Sequence, residues 1–139
     1  VRPLAPASPL RDRLLERIDA RYQSHLAQGF LTADLPDQPE PERLQCLNVL
    51  DRTNWLGLVV DCQLKIALGY GDVVEAGTLI RCTSNRMYQI SPNDALARMA
   101  ALLTQADLAQ RNWWRLKDLA RSVETRDALL NIDLEEGWP

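Results

Sequence analysis

The stretch from residue 91 to residue 120, SPNDALARMAALLTQADLAQRNWWRLKDLA, decides how this chain folds. Within it Ala95, Met99, Leu102, Ala106, Ala109, Trp113, Leu116 and Ala120 recur at alternating spacings of four and three. Their mean period is that of a helix laying one side along other helices. Ser91-Pro92-Asn93-Asp94 opens the run with an N-cap, a first-turn proline with no N–H to lose, and an acid near the positive end of the helix dipole. One long helix is therefore predicted, ending near Ala120, and its seam needs partners. Ala106 and Ala109 let a neighbour approach closely. The seam is expected to pack within the chain over residues 95–110, and against another copy or another protein around Trp113 to Leu119.

On the N-terminal side, Ser8-Pro9 reads as a cap and first turn, and Leu10, Leu14, Ile18, Tyr22 and Leu26 repeat every fourth residue until Gly29 offers a left-handed stop. Phe30 to Leu35 can be extended, and the proline-rich PDQPEPE after it is a loop. A second helix is predicted to start near Pro41, with Leu44, Leu47, Trp55, Leu58, Val59, Cys62 and Ile66 on one side. Leu56, Val60 and Leu64 make its second half apolar on the other side too, which implies burial all round or in an oligomer. It should end at Gly69-Tyr70-Gly71. Thr78 to Thr83 and Met87 to Ile90 read as a hairpin turning at Asn85, and a short helix around Val123 to Asn131 precedes the ending IDLEEGWP.

The expected fold class is therefore mainly α: a small helical domain of three to four helices with one short β-hairpin, the long helix lying antiparallel to helices one and two. Residues 1–9 are expected to form an extended proline-rich linker and residues 10–139 a single domain.

Composition narrows the function. With 139 residues and 46% hydrophobic content, a core can form without disulfides. A formal charge of −3 from 16 basic and 19 acidic residues, mostly interspersed, leaves no basic footprint, so neither nucleic acid nor membrane is expected as a partner. Arg11, Arg13, Arg17 and Arg21 alternate with Asp12, Glu16 and Asp19, which reads as a solvated helix face. Cys46, Cys62 and Cys82 have no short zinc-ligand spacing and the only histidine is His25, so no metal or cofactor is expected. The cysteines read as reduced, mostly buried thiols.

One string suggests chemistry. Cys46-Leu47-Asn48-Val49-Leu50-Asp51-Arg52-Thr53-Asn54 has the cysteine, five residues, then arginine of the cysteine-dependent phosphatases, and its LDRTN resembles the lipid phosphatases with a Sac-type domain. That chemistry needs backbone N–H groups converging on phosphate at a helix N-terminus and a cysteine of depressed pKa. The stretch has no glycine before Trp55, falls inside a helical pattern, and belongs to a chain shorter than a Sac fold, so the expectation is no enzyme. His25 is expected at the surface near a helix end, and Asp133, Glu135 and Glu136 as a solvated acidic terminus. Trp113 lies on the seam with Trp114 beside it, so one can fill the core while the other reaches a partner. Trp138 is expected to pack back onto the domain.

The order of features resembles a domain family of unknown function in tailed bacteriophages and prophages, encoded near tail-fibre genes. The matching stretches are residues 81–90, the S-P-N-D start with Leu96, then Trp114, Leu116 and Lys117, and Ile132, Asp133, Gly137, Trp138 and Pro139 at the end. The likeness covers residues 10–139. It implies a non-enzymatic tail or baseplate protein of the virion, made in the host cytoplasm, that joins or attaches fibres through contacts with other tail or fibre proteins, with a homo-oligomer as a further partner. The alternative is a fibre-assembly chaperone absent from the virion. Candidate interface residues are Trp113, Trp114, Leu116, Leu119, Trp138, Leu56 and Val60.

Overall fold

The computed structural model describes residues 8–32, 42–44 and 49–139. In chain order they form α1 (Pro9–Gln28), β1 (Phe30–Leu31), β2 (Arg43–Leu44), α2 (Val49–Ala67), a 3₁₀ turn (Val74–Ala76), β3 (Thr78–Arg81), β4 (Met87–Ile90), α3 (Pro92–Ser122) and α4 (Arg126–Leu130). The protein is mainly helical, with four α-helices and two small antiparallel strand pairs among the described residues. The chain divides into two compact units: residues up to His25 with Asp107–Pro139, and Leu26–Ala106.

In the first unit, α1 and the C-terminal part of α3 run antiparallel. Arg11 bonds Ala120 near one end of the pair, whereas Asp19 bonds Trp113 and Lys117 further along. Leu14, Ile18, Leu116, Ala120 and Leu129 form the core, and Val123, Ile132, Leu134 and Trp138 pack against it. Arg11 does not lie on a solvated face. It is buried, and its guanidinium donates to the carbonyls of Ala120 at 3.1 Å and Val123 at 2.6 Å. Those carbonyls lie at the negative end of α3, where a cation is stabilised and the acceptors lack helical partners. The last helix is shorter than expected because Thr125 caps it, accepting from the Ala128 N–H at 3.1 Å.

The second unit contains both strand pairs. Gly29 takes φ +76° after α1 and releases the chain into β1, where Phe30 pairs with Leu44 and Leu31 with Arg43. The second helix does not start near Pro41, a position outside the described residues. Leu44 is instead a buried strand residue opposite Phe30, and the helix begins at Val49. Cross-strand burial overrides the local helical pattern there. The hairpin forms as expected, β3 pairing with β4 from Thr78↔Ile90 to Arg81↔Met87, with Asn85 at φ +67° in its turn. The buried carboxylate of Glu42 ties the hairpin to β2, accepting from Ser84 Oγ at 2.7 Å and from the Tyr88 hydroxyl at 2.9 Å. Ser91 Oγ accepts from the Asp94 N–H at 3.2 Å, the cap that starts α3. The seam is buried throughout except at Trp113, which is half-buried.

Candidate functional site

Around Trp113 the seam packs within the chain, while Trp114 and Leu119 beside it stay exposed. Trp113 stacks on Tyr22 with ring centroids 4.6 Å apart, and its indole N–H donates to Asp19 Oδ1 at 2.8 Å. Leu116 is fully buried in the core, so it is not an interface residue. Trp138 packs back as expected, stacking on His25 at 4.6 Å and lying 6.3 Å from Tyr22, with its N–H bonded to the Leu134 carbonyl. His25 is thereby part of a ring stack, half-buried rather than free at the surface. The acidic end is strapped down as well: Arg21 pairs with Glu135, and Asn112 and Arg115 donate to the Glu136 carbonyl. Removal of residues 137–139 should lower the melting temperature, since burying one large aromatic contributes about 1.5–3 kcal/mol. Calorimetry of the truncated chain checks this.

Asp19 gathers the charges of this face. Partial burial would raise its pKa, but hydrogen bonds from Trp113 and Lys117 and the charges of Lys117 and Arg121 outweigh it and hold the carboxyl below the ordinary 3.8. A depressed pKa in the folded state contributes stability above the unfolded value, and that contribution is lost as pH falls through the folded value. Asp19→Asn should therefore lower the melting temperature at neutral pH, with a difference from the parent that shrinks below about pH 4. Melts across a pH series check it.

One run of exposed apolar residues follows α2. Leu56, Val60, Leu64 and Leu68 are 55%, 65%, 59% and 64% accessible. The second half of the helix is thus not buried all round within the chain. The opposite side carries buried Cys62 and half-buried Trp55, Leu58, Val59 and Ile66. Trp114 at 51% and Leu119 at 38% are the exposed interface candidates on α3. A groove of about 390 Å³ in the first unit is floored by Leu10, Leu14, Leu129 and Ile132, with Arg13, Arg17, Asp133 and Glu135 as its charged lining. It brings together no nucleophile and base.

The cysteine and arginine string has a different setting from the one its periodicity implies. β2 ends at Leu44 and α2 begins at Val49, so Arg52 stands in the first helical turn. Cys46 lies outside the described residues, as does Leu47. Residues 49–54 of the string are helical, and a strand ends at Leu44 ahead of it. Glycine is not essential to the chemistry: none of residues 47–51 is proline, so each carries the backbone N–H that an oxyanion requires. Cys62 and Cys82 are buried, and desolvation pushes both thiols up, Asp61 adding to the effect at Cys62 and Glu42 at Cys82. Both are poor nucleophiles. Among the described residues no group of three or more His, Cys, Asp or Glu could hold a metal ion, and no helix is long and apolar enough to cross a membrane. Set against family models, curated proteins and solved structures, the chain finds no match.

Proposed function

We propose that residues 46–53 form the phosphate cradle of a cysteine-dependent phosphatase. One observation carries this reading: in sequence Cys46 stands between a strand ending at Leu44 and the 19-residue helix starting at Val49, and Arg52 belongs to that helix's first turn. A cradle needs a long helix whose free N–H groups face the phosphate, a cysteine just before it, and an arginine within its first turn to grip two phosphate oxygens. In the proposed reaction the Cys46 thiolate attacks phosphorus, an S–P bond forms, and the ester oxygen leaves with a proton as the alcohol. Water then cleaves the S–P bond, releasing inorganic phosphate and restoring the thiol. The likeness of LDRTN to Sac-type lipid phosphatases supplies the substrate class, a phosphorylated lipid headgroup. The test is phosphate release from p-nitrophenyl phosphate and from vesicles containing phosphorylated inositol lipid, together with thermal stabilisation by tungstate. Cys46→Ser should reduce turnover by about a thousandfold or more while tungstate binding survives, and Arg52→Ala should weaken both. A parent chain that neither releases phosphate nor is stabilised by tungstate overturns the reading.

A second reading is favoured by the exposed stripe on α2: a non-enzymatic phage tail or baseplate protein that joins or attaches fibres through that stripe and Trp114. Its setting rests on the resemblance of the hairpin, the S-P-N-D start and the G-W-P end. Mass spectrometry of purified virions tests it, since absence from the particle excludes a structural role and leaves the assembly chaperone. Raised yield of soluble fibre on co-expression would support the chaperone.

A further inference from the structure

We propose that the exposed face of α2 binds a second copy of this chain, the two helices crossing antiparallel about a twofold axis near Cys62. The inference shares with the second reading the premise that this face is a contact surface, and it is independent of the phosphatase reading. At about 100° per residue, Leu56, Val60, Leu64 and Leu68 wind slowly across one side of the helix. That side carries no charged residue from Leu56 to Leu68, and a Cβ added at Gly57 beside it would meet nothing within 4 Å. Two backbones can therefore come close there.

Charge selects the occupant and its direction. Only one rim of the stripe is charged, by Asp61 and Lys65, which pair along the helix at 2.9 Å. The other rim carries Gln63 and half-buried Val59. In an antiparallel pair related by a twofold axis, each rim faces the same rim of the other copy. Asp61 then faces Lys65 of the second copy, and Lys65 faces its Asp61, while Leu56 meets Leu68 and Val60 meets Leu64. A parallel pair would set both charges against the uncharged rim. The stripe is thus complementary to itself in one direction only.

The test is light scattering across a concentration series with the helical circular dichroism recorded in parallel. Val60→Glu should weaken dimerisation by roughly 100-fold with an unchanged spectrum, since a buried carboxylate would stand unpaired. Asp61→Lys gives one chain a wholly basic rim, and Lys65→Asp gives another a wholly acidic one. Each alone should be monomeric where the parent dimerises, and an equimolar mixture should associate. Direction is read from Leu56→Cys and Leu68→Cys, which stand about 18 Å apart on one helix. Oxidation of the mixed variants should link 56 to 68 between chains, mapped by mass spectrometry. A monomeric parent, or links of 56 to 56, overturns the inference. If the parent is monomeric and a purified tail protein binds in a Val60-dependent way, the dimer fails while the tail reading survives.

Discussion

Gly77→Ala should unfold the start of the hairpin and destabilise its unit by about 3 kcal/mol or more, at the upper end of single substitutions. The cause is steric overlap with backbone. A β-carbon at this position would land on the Ile90 carbonyl oxygen and lie 2.7 Å from the carbonyl carbon of Ile90 and 2.9 Å from that of Ser91. All three are backbone atoms, so no rotamer relieves the overlap. Thr78 pairs with Ile90 one residue on, and Ile90 is 1% exposed, so displacing the strand disrupts both the ladder and the start of α3. Urea denaturation and amide exchange check it, with protection lost first over Thr78–Arg81. Gly57→Ala is the control: its β-carbon meets nothing within 4 Å in mid-helix, and the change should be neutral or stabilising by about 0.5–1 kcal/mol.

Leu116→Ala should cost about 2–5 kcal/mol, the span for large-to-small substitution in a core. Leu116 is fully buried among Leu14, Ile18, Ala120 and Leu129, which come from α1, α3 and α4. A cavity there meets walls from three helices that cannot all close in. Thermal melts should shift while the far-ultraviolet spectrum at low temperature stays helical. Trp114→Ala, two residues away but half-exposed, should change stability by less than about 1 kcal/mol, so the pair separates core from surface on the same helix.

The long helix was legible because its signal is local and redundant: eight seam positions, a cap and a first-turn proline all agree. The hairpin was legible for a similar reason, with Asn85 between two β-prone runs. Leu44 was misread because a leucine at helical spacing looks the same whether its partner is four residues away or is Phe30 across a strand pair. A helix begun near Pro41 carries both the cysteine and the arginine of the string, whereas one begun at Val49 carries only Arg52. Arg11 was misread for a different reason. Its neighbours alternate in charge, while its acceptors at Ala120 and Val123 lie 109 and 112 residues away. Leu116 shows the limit of a seam as a signal: periodicity says that a face is covered, not by what.

The division of the chain has a consequence for the order in which the protein comes into being. One unit draws on both sequence ends, α1 up to His25 and everything from Asp107, while the other is the uninterrupted stretch Leu26–Ala106. On the ribosome most of α1 emerges before its core partners Leu116, Ala120 and Leu129 are made. At about 5–20 residues per second, the intervening stretch takes roughly 4–16 s to synthesise. Through that interval Leu14, Ile18 and Tyr22 stand uncovered, and Arg11 has no carbonyl to receive it. The inner stretch is able to fold as it emerges, and its folding shortens the loop that must close before the ends can meet. The apolar face of α1 is therefore covered only once α3 and α4 have both been made.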